Sequence, residues 1–175
     1  IQHGILKIGG VKINSISSRI YPYDKITSHL VGYVQNVNSE DLKKHKNEGY
    51  TSSSVIGKSG IEAAYERQLR GEVGARIDIV DENNNIVKTV AEREAKDGKD
   101  IRLTIDIDLQ KSLYNEYQND KSASVALNPK TGEVLALVST PSYSSNDFVL
   151  GLSTDKWNEL NNDVNQPLMS RYKQT

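Results

Sequence analysis

The chain has 175 residues, with 22 basic and 23 acidic side chains and a formal net charge of −1, so no long-range field draws it to nucleic acid or to an anionic surface. It has no cysteine, which excludes a disulfide framework and any thiolate metal site. With 36% hydrophobic residues and a mean hydropathy of −0.58, it reads as a folding chain with a modest core rather than a disordered one.

No apolar run approaches the roughly 18 residues of a bilayer span. The chain opens at Ile1 without a charged-then-apolar leader, so a preceding segment is expected to have been removed, together with any targeting signal. Residues 5–13 alternate short apolar stretches around Gly9-Gly10 and predict a strand or broken strand. Between Ile20 and Val34 a Pro-bearing extended piece leads into a helical turn that ends near Gly32. Asn38 or Ser39 is placed to cap a brief polar helix that stops at Gly49.

The pattern Ser59-Gly60-Ile61-Glu62 predicts a capping box, with the Ser and Glu side chains each satisfying a free backbone N–H. Ile61, Tyr65 and Leu69 then recur on one helical face as far as Arg70, and Gly71 supplies the stop. Arg76–Val80 and Ile86–Val90 flank a polar five-residue loop, residues 81–85, and predict a hairpin.

Residues 92–100 are almost all charged and mark the expected domain boundary. Beyond them, Ile101–Ile105 reads as a strand entering a helix capped by Asp106 or Asp108, with Leu109, Leu113 and Tyr117 as its buried stripe. Ser122–Leu127 and Val134–Val138 predict a second hairpin across residues 128–133. The second strand is apolar throughout and so is expected to be covered on both faces. A last helix starts at Ser153 and carries Trp157 and Leu160.

Several strings imitate functional motifs. Gly57-Lys58-Ser59 matches the end of a phosphate-binding loop, but Ser52 stands where its first glycine belongs. Asp81, Asn83, Asn85 and Glu92 match calcium-loop positions, but Ile86 replaces the obligatory glycine and strands flank the loop. His3, His29 and His45 share no ligand spacing and read as structural or solvated.

The three strings of serine acyl-transfer enzymes all occur: Ser153…Lys156 and Ser170…Lys173, Ser144…Asn146, and Lys130-Thr131-Gly132. With 18 Ser and 15 Lys, about 1.5 S-x-x-K matches arise by chance. Only two residues follow Lys173, Ser153 is better used as a helix cap, and Lys130-Thr131-Gly132 falls in a turn rather than along a strand. All are read as decoys, so no catalytic, cofactor-binding or metal-binding residue is assigned.

Arg19-Ile20-Tyr21-Pro22-Tyr23, followed by His29 and Gly32-Tyr33-Val34, resembles the first signature of penicillin-binding protein dimerisation domains. Residues 56–62 with Tyr65-Glu66 and Leu69-Arg70-Gly71 resemble the second. Leu103-Thr104-Ile105-Asp106 with Leu109-Gln110, and then residues 126–143, are similar to the entry and first hairpin of the transpeptidase domain. The blocks stand in family order over about residues 15–145. The wording most resembles the low-affinity, methicillin-resistance-type branch of class B.

The resemblance implies an α+β pedestal (dimerisation) domain over residues 1–97, followed by the N-terminal part of a transpeptidase domain over 98–175. Residues 167–172 resemble the lead-in to the catalytic helix, and the family's P-G-S-x-x-K segment would follow a few residues later. The parent is then expected on the outer face of the cytoplasmic membrane, cross-linking peptidoglycan stem peptides and being acylated by β-lactams. The partners expected are cell-wall synthesis proteins or a second copy of the chain, with neither nucleic acid nor a cofactor. Two rivals are a small hydrolase using Ser170 and Lys173, and a stand-alone module binding cell-wall glycan or a partner protein through some of its nine tyrosines.

Overall fold

The computed structural model describes residues 18–174; His3 and the strand expected over residues 5–13 lie outside them. Short helices and three separate two-stranded antiparallel sheets alternate along the chain, an α+β arrangement. In chain order the elements are α1 (Ser28–Val31), β1 (Val34–Asn36), α2 (Ser39–Lys44), β2 (Val55–Gly57), α3 (Gly60–Ala64), α4 (Glu66–Leu69), β3 (Ala75–Val80) and β4 (Ile86–Arg93). There follow α5 (Ile107–Tyr117), β5 (Ser122–Leu127), β6 (Val134–Thr140), α6 (Ser145–Leu150), α7 (Thr154–Asn162) and a 3₁₀ turn, Arg171–Lys173.

Local chemistry explains most of the starts and turns. Asn38 accepts the amides of Glu40 and Asp41 while the Asp41 carboxylate accepts the Asn38 amide, a complete capping box at α2. Asp106 caps α5 through the amides of Asp108 and Leu109. Ser153 caps α7 through Lys156. In the β3–β4 loop the Asp81 carboxylate accepts the amides of Asn83 and Asn85, an Asx turn that uses the supposed calcium ligands on backbone.

Some expectations need correction. Ser59 sits at the N-cap of α3 but its side chain makes no capping bond, and Glu62 is buried rather than bonded to the Ser59 amide. A three-residue spacing is necessary for the box, yet a stronger partner elsewhere takes the carboxylate. The helix expected to run to Arg70 breaks at Tyr65, which is itself exposed. α2 ends at Lys44, short of Gly49. Residues 101–105 form no strand. This extended segment meets β6 through the Asp106 amide on the Leu135 carbonyl, 2.8 Å, and Thr104 Oγ1 on the Val134 carbonyl, 2.7 Å.

The β5–β6 hairpin is as expected, paired from Ser122↔Thr140 to Leu127↔Val134. α5 and the 3₁₀ turn pack against it, and Ala136, Val138, Ser139 and Thr140 of β6 are buried. On α5, Leu109, Leu113 and Tyr117 are only half-buried, whereas Gln110 is fully enclosed. The Leu137 N–H donates to Gln110 Oε1 at 2.8 Å, and Gln110 Nε2 donates to the Leu137 and Ile26 carbonyls at 2.8 and 2.9 Å. The Leu137 groups pointing away from β5 are thus satisfied by one side chain in place of a neighbouring strand.

Close backbone packing brings α1 to α3. Gly32 and Gly60 have φ of 82° and 58°, a region that suits glycine. A Cβ at Gly32 would stand 2.0 Å from the Ser59 carbonyl oxygen, and one at Gly60 2.5 Å from that of Leu30. No bulkier residue fits this crossing without moving backbone.

Candidate functional site: a buried clasp and an open groove

Residues 19–33 contain little regular structure; their own turns satisfy several backbone groups, and the others need partners elsewhere. These others find them mostly on the corner between β6 and α6. The Asn146 side-chain amide brackets Tyr21, accepting its N–H at 2.9 Å and donating to its carbonyl at 3.0 Å. Ser142 Oγ donates to the Lys25 carbonyl, Tyr143 OH to that of Ser28 and Ser145 Oγ to that of Gly32, at 2.7, 3.1 and 2.8 Å. In return, Asp24 accepts the Ser145 amide at 2.7 Å. The N-terminal stretch is clasped by residues more than 110 positions away.

An aromatic cluster fills the space beneath. Tyr33 stacks on Phe148 at 4.2 Å between centroids, and Tyr143 meets both His29 and Phe148 edge-on. Trp157 closes the side at 6.3 Å from Phe148. Burial pushes the Tyr143 phenol up to about 12, so it stays a hydrogen-bond donor at any ordinary pH. A small cleft of about 130 Å³ remains among His29, Tyr143, Trp157, Leu168, Ser170 and Lys173.

Glu62 ties this region to the rest. Its Oε1 accepts the Tyr21 hydroxyl at 3.2 Å and pairs with Arg19 Nε at 3.2 Å, while the Tyr21 hydroxyl accepts the Val34 amide. Burial is the largest influence on Glu62 and lifts its carboxyl above the usual carboxylate range, against the opposing pull of Arg19. Its Oε2 finds no hydrogen-bond partner among the described residues.

The candidate nucleophile strings disperse. Ser144 caps α6 through the Asp147 amide, Asn146 is committed to Tyr21, and Ser153 caps α7 with Lys156 paired to Glu159. Lys130-Thr131-Gly132 lies in the hairpin turn, held by the Asn128 side chain. Lys58, the would-be phosphate ligand, is ion-paired with Asp41. His45 meets Glu48 at 3.2 Å.

One juxtaposition was not foreseen. Ser170 Oγ lies 3.1 Å from His29 Nδ1, at the N-cap of the single 3₁₀ turn that carries Lys173. Nothing local in the sequence connects positions 29 and 170. α6 is likewise not among the predicted elements; its N-cap, Ser144, belongs in sequence to an acyl-transfer string.

A separate open groove of about 1030 Å³ runs between β1, α4 and the end of α6. Exposed Ile20, Val55, Val73 and Leu150 line it, with Arg70 and Arg93 at its polar edge. Among the described residues β1 pairs only with β2.

Comparison with known proteins places this arrangement in a family. The profile of the penicillin-binding protein dimerisation domain matches residues 1–103. The chain belongs to that family. It is 46% identical over 166 residues to penicillin-binding protein 3 of Bacillus subtilis, covering 95% of this chain and 24% of that protein. It is 38% identical over 169 residues to the peptidoglycan D,D-transpeptidase MrdA of Escherichia coli, covering 94% and 27%. Among solved structures, the complex between a penicillin-binding protein (PBP2) and MreC from Helicobacter pylori superposes with a TM-score of 0.82 at 32% identity, covering 98% of this chain and 32% of that one. PBP2 of Pseudomonas aeruginosa, crystallised with WCK 5153, gives 0.71 at 37% identity, covering 88% and 30%. The chain spans about a quarter of the length of these curated relatives. Among the described residues no helix is long and apolar enough to cross a membrane.

Proposed function

We propose that this chain is the non-catalytic pedestal, residues 1–97, together with the opening of the transpeptidase domain, residues 98–175, of a longer peptidoglycan D,D-transpeptidase. The observation that carries the reading is similarity along 94% of the chain to a D,D-transpeptidase of which it covers 27%. In this reading the chain holds no catalytic residue, since each serine of the acyl-transfer strings has a structural task. The parent works on the outer face of the cytoplasmic membrane, on stem peptides, and takes up β-lactams. Placement in the low-affinity branch rests on the sequence wording. The test is incubation with a fluorescent penicillin followed by denaturing electrophoresis. The 175-residue chain is expected to stay unlabelled, while a longer protein carrying a P-G-S-x-x-K segment is labelled. A band on the short chain that vanishes in Ser170→Ala would overturn the reading in favour of a small hydrolase.

The groove beside β1 is proposed to receive a cell-wall synthesis protein, as a solved relative is held in complex with MreC. Val125 and Leu127, both more than half exposed on β5, favour self-association at that sheet edge instead. Sedimentation velocity of the chain, alone and with such a partner, separates the two. A chain that is monomeric and inert to the partner would dismiss both.

A further inference from the structure

His29 makes three hydrogen bonds to residues more than 110 positions away. The residue is 6% exposed. Nε2 lies 3.3 Å from the Pro141 carbonyl, and a carbonyl only accepts, so Nε2 carries the hydrogen. In a neutral ring Nδ1 is then the acceptor, and the Ser170 hydroxyl donates to it across 3.1 Å. The His29 carbonyl meanwhile accepts the Tyr172 hydroxyl at 2.6 Å.

The segment these bonds hold packs on the β5–β6 hairpin, but few other long-range hydrogen bonds fix it. Ser139 Oγ donates to the Met169 carbonyl at 3.3 Å and accepts the Arg171 amide at 3.1 Å. The Arg171 guanidinium reaches only the neighbouring carbonyls of residues 165, 166 and 169. Among the described hydrogen bonds, the long-range anchors of residues 169–172 come from Ser139 and His29, and His29 alone lies in the N-terminal stretch.

We propose that His29 is a positioning residue: it sets the 3₁₀ turn of residues 171–173 against α1, and so transmits the placement of the pedestal to the segment that leads into the nucleophile helix. The second half of this rests on the reading under Proposed function, that a longer protein continues into such a helix. The first half concerns only residues described here. A simple packing role for the ring would need neither a defined tautomer nor a particular acceptor atom, so the two roles are separable.

The test uses mild variants that leave the aromatic cluster in place. Ser170→Ala and Tyr172→Phe each delete one hydroxyl. His29→Asn keeps a polar group near the Nδ1 position, and His29→Gln one near Nε2. In hydrogen exchange on the 175-residue chain, amides of residues 169–174 are expected to exchange about five- to tenfold faster in Ser170→Ala, Tyr172→Phe and His29→Gln, the loss of one hydrogen bond. His29→Asn should restore most of the protection, and amides in β3 and β4 should not change. Nitrogen NMR of His29 is expected to show the Nε2–H tautomer. Unchanged exchange in both Ser170→Ala and Tyr172→Phe, or an Nδ1–H tautomer, would overturn the proposal. In a longer protein carrying the nucleophile, the same three substitutions should slow penicillin acylation by about the same factor. Acylation that is measurable but unaffected would refute the transmission step. A longer protein that takes up no penicillin would refute the transpeptidase reading, while the exchange and tautomer results would still decide the role of His29.

Discussion

Replacing Gln110 with Met should damage this fold about as much as a large core truncation, although it keeps the volume nearly constant, because it removes three hydrogen bonds. Gln110 is fully buried on α5. It serves the Leu137 N–H, the Leu137 carbonyl and the Ile26 carbonyl, at 2.8, 2.8 and 2.9 Å. Each buried backbone group left without a partner costs about 1–3 kcal/mol. Partial rehydration of the carbonyls lowers the sum, so we expect a loss of roughly 3–6 kcal/mol. Against a typical total stability of about 5–15 kcal/mol, that would bring the chain near its unfolding threshold. Gln110→Glu should be at least as harmful, since a carboxylate oxygen would face the two carbonyls that Nε2 now serves. Urea unfolding, followed by the fluorescence of Trp157, the chain's single tryptophan, measures the change. A loss below about 1 kcal/mol for Gln110→Met would mean that the outer side of β6 satisfies itself, and the account of Gln110 as a substitute strand would be wrong.

The two N-caps give opposite expectations. Asn38→Ala should cost about 1 kcal/mol, the usual value for a bonded cap, whereas Ser59→Ala should cost less than about 0.5 kcal/mol because its side chain makes no capping bond; both are read from urea unfolding, and equal losses would contradict the structure. Stability should also depend on pH through His29. Burial holds its pKa below the ordinary 6.5, and the cations of Arg171 and Lys173 act in the same direction, against the opposing pull of the Pro141 and Pro167 carbonyls. The groups that face the ring are the Tyr143 ring, edge-on, and the Ser170 hydroxyl, neither of them a carboxylate. The neutral form is therefore favoured in the folded state. Its contribution is fully present above pH 6.5 and is eroded as pH falls from there toward the lowered folded value. Unfolding curves between pH 7.5 and 5 should show the decline in the natural chain and a flatter profile in His29→Gln; identical profiles would exclude His29 as its source.

How much was legible in the sequence follows from the range of each interaction. Asn38, Asp106 and Ser153 bond to amides two or three residues away, so their caps can be read from adjacent letters. The same holds for the Asp81 turn and for the apolar strands of the β5–β6 hairpin, whose partners follow within a few residues of the turn. The motif blocks and their order likewise sufficed to indicate the family, since they are linear strings. Tertiary structure alone decided the rest. Glu62 had a plausible local partner in the Ser59 amide, yet it pairs with Arg19 and Tyr21, 43 and 41 positions away. Gln110, Ser145 and Asn146 look like ordinary exposed polar residues in sequence, but they satisfy an irregular backbone stretch that cannot satisfy itself. Ser170 resembled a nucleophile by spacing to Lys173, and its neighbour proved to be a histidine 141 positions earlier. A buried polar group takes whichever complementary partner the packed fold brings within about 3 Å, and that choice is made in space, where distance along the chain carries no weight.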